Sequence, residues 1–144
     1  MATEHELDHC VTDAIQIVRQ RVKQARQAHP QVKSRIKDYP AMVVACGYRR
    51  GREVFWGESK SPVNHIYEDR LRERLEALAP IGTKRPQCNN TIGACAEPHA
   101  ADRVLKNAPR CNLNELQFSK AYRPRTAKHK RYCRNCKETF PEVL

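Results

Sequence analysis

The sequence predicts an α/β fold in which helices cover both faces of a small mixed sheet. Three observations lead to this expectation: a length of 144 residues, several segments with helical periodicity, and two short apolar runs joined by a glycine-containing turn. A chain of this length suits one compact domain, which we place at residues 1–144. A hairpin set among several helices favours a small sheet packed under helices.

The first predicted elements are a helix and a hairpin. Residues 7–28 carry an apolar stripe at steps of four and three, formed by Val11, Ile15, Val18, Val22 and Ala25. Residues 41–48 are apolar and partly β-branched, which is typical of a buried strand. Residues 49–52 contain Gly51, which can take a positive φ in a turn, and 53–56 resume as a second strand.

The second half of the chain predicts two more helices and a strand. Residues 64–79 have an apolar edge on a highly charged segment, and Pro80 ends this helix. A third helix is expected over 95–107, with Pro98 in its first turn, where a missing N–H costs little. Residues 113–122 predict a third strand, and a short last helix is expected near the C-terminal cysteine pair.

The charge of the chain favours an anionic partner. The net charge is +11, from 27 Lys and Arg against 16 Asp and Glu. Residues 103–137 hold eleven basic residues and a single acid, Glu115, so most of the charge lies in one segment. Nucleic acid is the usual partner of such a segment, and a solvated basic surface is the alternative.

Cysteine usage predicts a reducing compartment. The seven cysteines are odd in number and include only one CxxC pair, which favours metal or thiol chemistry over a disulfide framework. Residues 1–10 are polar and acidic, unlike a secretory signal, and no apolar run approaches the roughly 18 residues of a membrane span. We therefore expect a location in the cytoplasm, or delivery into the cytoplasm of a target cell.

Two short motifs predict a catalytic metal site. The first is Cys95-Ala96-Glu97 at a helix start, and the second is Cys133 and Cys136 in CxxC spacing. Three thiolates can hold zinc and leave a fourth position open, as catalytic zinc sites do. Glu97 is then placed to move protons beside the metal as the catalytic acid and base.

These motifs resemble the signature of zinc deaminases, in which a ligand, one residue and a glutamate precede a later CxxC. The string CAEPHAADRVL from Cys95 to Leu105 is especially similar to the YwqJ-like branch of bacterial toxin deaminases. Tyr132 stands where many members have proline. The resemblance implies the three-layer sandwich of the cytidine deaminase-like superfamily and a Zn²⁺ cofactor. If the chain is a toxin, an immunity protein is an expected partner.

The expected function is hydrolytic deamination of cytosine to uracil in DNA or RNA, by a toxin or mutator. A deaminase of free nucleosides or nucleotides is the first alternative, and a non-catalytic zinc module that binds nucleic acid is the second. The first alternative has little use for the basic segment, which therefore favours single-stranded or locally unpaired nucleic acid as substrate.

Four residues are expected to contact that substrate. Arg131 lies in the basic segment, where Tyr122 and Tyr132 are the interleaved rings that could stack on bases. The resemblance further implies an amide after the second strand that orients the base, and Asn64 lies in that region. An N-cap of the helix at 64–79 is the alternative role of Asn64.

Other cysteines and one histidine have structural alternatives. A four-cysteine zinc ribbon would add Cys88 to the three ligands, although its spacing to Cys95 does not suit a CxxC knuckle. Cysteines elsewhere are expected to be small buried apolar residues, namely Cys10, Cys46 and Cys111. His99 is expected on a helix face or behind the metal ligands.

Overall fold

A computed structural model describes residues 2–31 and 38–144. Its elements follow the predicted order, with one added short strand. They are α1 (Glu4–Ala28), β1 (Val43–Tyr48), β2 (Val54–Glu58), α2 (Asp69–Leu78), α3 (Ala96–Asn107), β3 (Leu116–Phe118), β4 (Ala121–Tyr122), β5 (His129–Lys130) and α4 (Arg134–Thr139). No helix among the described residues is both long and apolar enough to cross a membrane.

β1 is the centre of a five-stranded sheet. The hairpin partner β2 pairs with one of its edges, and both β3 and β4 pair with the other. β5 extends the sheet beyond β4. Every pairing among the described strands is antiparallel, so the expected mixed sheet is wrong in this respect. Short hairpin connections explain this result, because a parallel pair needs a long crossover.

The predicted strand at 113–122 is present but interrupted. Residues Leu113–Glu115 form a 3₁₀ turn, and Ser119 separates β3 from β4. The Ser119 N–H donates to the Ala45 carbonyl, and its Oγ accepts from the Ala45 N–H at 2.9 Å. The hydroxyl therefore supplies a ladder bond that the backbone would otherwise make, and the chain can bend without losing its attachment to β1.

Helices cover both faces of the sheet, as expected. Because side chains alternate along a strand, Val43 and Ala45 pack with the apolar stripe of α1. Val44 and Cys46 point to the opposite face and join a cluster with α2, α3 and Phe140. The core is thus divided by the sheet into two apolar layers.

Gly57 of β2 permits the close approach of α3. A Cβ built at this position would lie 2.4 Å from the Ala100 backbone nitrogen and 2.8 Å from the Ala96 carbonyl oxygen. Real side chains do not tolerate such distances, so only glycine lets the helix backbone rest on the strand. This contact fixes the height of the first turn of α3 above the sheet.

Two helix boundaries differ from expectation because side chains cap them. α1 begins at Glu4, earlier than residue 7, since the Thr3 hydroxyl accepts from the Glu6 N–H. α2 begins at Asp69 rather than residue 64, because the Glu68 carboxylate accepts from the first helical N–H groups. The predicted helix over 95–107 is confirmed, with Cys95 as its N-cap.

Candidate metal centre and active-site cavity

Two helix N-termini bring the three predicted metal ligands together. Cys95 caps α3 and Cys133 caps α4, while Cys136 lies in the first turn of α4. The Cys95 and Cys133 Sγ atoms are 3.4 Å apart, and the Cys133 and Cys136 Sγ atoms are 3.6 Å apart. All three sulfur atoms lie within 4.8 Å of one another, so the group could hold a metal ion.

The three thiols are electrostatically linked. The pKa of Cys133 is lowered well below its usual value, chiefly because the Cys136 and Cys95 thiols donate hydrogen bonds to it. The same contacts raise the pKa of Cys95 and of Cys136. The Cys133 sulfur is therefore where negative charge is most readily accommodated, and helix N-termini at Cys95 and Cys133 favour thiolates at those positions.

The soft donor set is compatible with zinc. Sulfur ligands suit zinc and other thiophilic metals, and they do not suit magnesium or calcium. No further Cys, His, Asp or Glu joins the group among the described residues. Cys88 in particular lies in a turn with Arg85 and outside the group, so the four-cysteine ribbon is wrong.

Glu97 lies beside this group in the first turn of α3. Its side chain is buried, with 4% of the residue exposed. Burial raises the pKa of Glu97 to about 7, and the Cys136 thiol lies within hydrogen-bonding reach of the carboxyl group. A carboxyl group with such a pKa can both accept and donate a proton near neutral pH.

A cavity of about 310 Å³ opens onto the metal group and Glu97. Cys95, Cys133 and Glu97 all line it, and Glu97 is its one acidic lining residue among the described residues. Basic and amide side chains complete the rim. They are Lys84, Asn89, Asn90, Lys130 and Arg131.

The structure places the four expected substrate residues at different distances from this cavity. Arg131 lines it, and Asn64, Tyr122 and Tyr132 do not. Asn64 is in an exposed turn with φ 64°, and because Glu68 caps α2, the N-cap alternative for Asn64 is wrong. The contact role expected for Asn64 therefore receives no support from its position.

Both tyrosines serve the frame around the cavity. The Tyr132 hydroxyl donates to the Ser119 carbonyl at 2.5 Å, which ties the CxxC segment to the β3–β4 junction. Tyr132 also packs against the cluster that contains α3. Tyr122 packs against the α1 layer, and its ring centroid lies 6.1 Å from that of His129. Neither ring is presented to the cavity as a stacking platform.

Sequence reasoning missed the loop that forms one wall of the cavity. Residues 81–94 show no periodic pattern, yet Lys84, Asn89 and Asn90 reach the cavity from it. Asn135, inside the CxxC, holds this loop: its Nδ2 donates to the Asn90 carbonyl at 2.8 Å, and its Oδ1 accepts from Arg85 at 2.7 Å. The adjacent asparagines just before the Cys95 motif were the available signal.

A hydrogen-bonded network fixes the chain that leads into Cys95. The Tyr67 hydroxyl donates to the Gly93 carbonyl, and the Lys60 N–H donates to the Ala94 carbonyl at 2.9 Å. His99 Nε2 lies 3.1 Å from the Lys60 carbonyl oxygen and outside the cavity lining. Burial lowers the pKa of His99 to about 4, so the ring is neutral and can donate to that carbonyl. His99 thus lies behind the site, as expected.

Comparisons of the chain with protein families, with curated proteins and with solved structures found no match.

Proposed function

We propose that this protein is a zinc-dependent nucleobase deaminase of the cytidine deaminase-like superfamily. One observation carries the proposal: three cysteine sulfurs and a buried glutamate meet at the inner end of a single cavity. The ligand-x-Glu and CxxC motifs that resemble zinc deaminases are far apart in sequence, and the fold brings them into contact. The antiparallel sheet with helices on both faces is compatible with the superfamily's layered fold.

In this proposal Cys95, Cys133 and Cys136 would hold Zn²⁺. When bound, zinc supplies the Lewis acidity that makes water a competent nucleophile near neutral pH. The sulfur donors and their position at helix N-termini fit this role, because both favour the thiolate form that a metal requires.

Glu97 moves the protons of the reaction. Its carboxylate takes a proton from the water that adds to C4 of cytosine, and delivers this proton to the ring nitrogen. A second proton transfer through Glu97 accompanies cleavage of the exocyclic C–N bond, so that ammonia leaves and a carbonyl remains. Burial supports this role, since a pKa near 7 lets Glu97 exist in both protonation states.

The charge around the cavity supports a polynucleotide substrate. Lys84, Lys130 and Arg131 line the cavity, and none of them forms an ion pair with any described residue. By contrast, arginines elsewhere have carboxylate partners, such as Arg21 with Glu58 and Arg74 with Glu142. Cations left without internal partners at a cavity rim are suited to phosphate groups.

The test is ammonia release and uracil formation from cytosine in single-stranded DNA, single-stranded RNA and free cytidine. The proposal expects zinc in the purified protein, turnover on at least one strand, and loss of turnover after chelation of the metal. Turnover of free cytidine alone would favour the nucleoside deaminase. Bound zinc without turnover of any cytosine or adenine substrate would contradict the enzymatic proposal and favour a zinc module that binds nucleic acid.

A further inference from the structure

A second cavity adjoins the first along the basic hairpin of β4 and β5. Its volume is about 200 Å³, and it is lined by the chain before β1 and by the hairpin turn. The two cavities share three lining residues, Ala41, Met42 and Lys130, so they form one continuous depression. Lys130 lies at the junction, between the metal-group cavity and the outer one.

The outer cavity is cationic. Arg123, Arg125 and Lys130 line it, and no acidic side chain among the described residues does. None of these three cations forms an ion pair with the described part of the chain. Three uncompensated cations around a cavity repel one another, and a bound anion would remove this repulsion.

The turn that carries these cations is held in a defined shape. The Arg123 N–H donates to the Lys128 carbonyl at 2.9 Å, and the Ala127 N–H donates to the Arg123 carbonyl at 2.7 Å. From α1, Arg19 Nε donates to the Pro124 carbonyl at 2.8 Å. The turn is therefore anchored to the opposite layer of the molecule, and its cations are held at one place beside the cavity.

We propose that the outer cavity is a phosphodiester subsite for the nucleotide next to the reacting base. Resting on the proposed function, the inference adds a path: the strand passes from the metal-group cavity over Lys130 and places its next phosphate between Arg123 and Arg125. Guanidinium groups suit this ligand because their planar N–H pairs match phosphate oxygens. The subsite selects a linked strand over a free nucleoside.

The test separates a defined subsite from a diffuse basic surface. The double variant Arg123→Gln/Arg125→Gln is compared with Lys120→Gln/Lys128→Gln, which removes equal charge from the same hairpin. Lys120 and Lys128 are exposed and line neither cavity. The probe is a fluorescently labelled oligothymidylate of about twelve nucleotides, which is long enough for one binding groove and has no amine to release.

The subsite predicts that Arg123→Gln/Arg125→Gln weakens binding of this probe by about tenfold at low salt. It also predicts that the slope of log K against log salt falls by about 1.4, for two lost phosphate contacts on a single strand. The lysine control should change affinity clearly less, with unchanged thermal unfolding in both variants. Equal losses in the two variants, or no binding of the probe to the wild-type protein, would overturn the subsite.

Because thymine carries no exocyclic amine, this result does not depend on the reaction. Selective loss in the arginine variant without turnover of any cytosine substrate would keep the subsite and refute the deaminase. Turnover of cytosine with equal losses in the two variants would do the reverse.

Discussion

Substitution of Glu97 by glutamine is expected to abolish ammonia release while fold and metal content persist. Glutamine keeps the size and shape of the buried side chain, and its amide oxygen can still accept from the Cys136 thiol. The structural cost should therefore stay within about 1 kcal/mol, the value of one ordinary hydrogen bond. What disappears is the proton that only a carboxyl group can take up and return.

The chemical effect should be much larger than the structural one. A lost general acid–base group lowers rates by about 10² to 10⁴, which corresponds to roughly 3–5 kcal/mol in the activation barrier. The assay is uracil formation in a cytosine-containing single strand, with the rate expressed per zinc-loaded molecule. Metal content separates lost chemistry from lost structure, because Glu97 is not one of the three ligands.

Asp102→Asn is the matched control on the same helix. Asp102 is also buried, at 2% exposed, but it does not line the cavity. Its carboxylate accepts from the Glu68 N–H at 2.7 Å and lies 3.0 Å from His65 and 2.9 Å from Lys106. This variant should lose about 1–3 kcal/mol of stability and keep its rate per zinc-loaded molecule. The assignment of Glu97 is refuted if Glu97→Gln, with zinc bound, retains the wild-type rate.

Three further predictions concern metal, packing and pH. Cys133→Ser should lower zinc content to well below one ion per chain and lower the melting temperature, as read by elemental analysis and calorimetry; full zinc occupancy would count against the ligand set. Gly57→Ala should cost about 1–3 kcal/mol in unfolding experiments, because its Cβ would lie 2.4 Å from the Ala100 nitrogen. The folded-state pKa of His99 is lowered from 6.5 to about 4, so the unfolded state binds the proton first and stability falls as pH drops from about 6.5 to 4. Denaturant titrations should show that His99→Gln removes a loss of about 2 kcal/mol across this range, and an unchanged pH profile would contradict the buried neutral ring.

The sequence alone determined the features that depend on local pattern. The apolar stripe of α1 and the run at 43–48 each follow from periodicity that the chain carries within one element. The helix start at Cys95 was likewise predictable, since the residues of its first turn are contiguous. The grouping of Cys95 with the CxxC cysteines was predictable through chemistry, because thiols in ligand spacing have few other uses in a reducing compartment.

The tertiary structure alone decided what surrounds that group. The wall formed by residues 81–94 has no periodic signal, because its conformation is set by contacts such as that of Asn135 with Asn90. Tyr132, predicted as a substrate contact, instead bonds the Ser119 carbonyl, a partner that β1 pairing places beside it. Whether a side chain faces a cavity or a neighbouring strand depends on the packing of distant segments, and no pattern within a single segment encodes that packing.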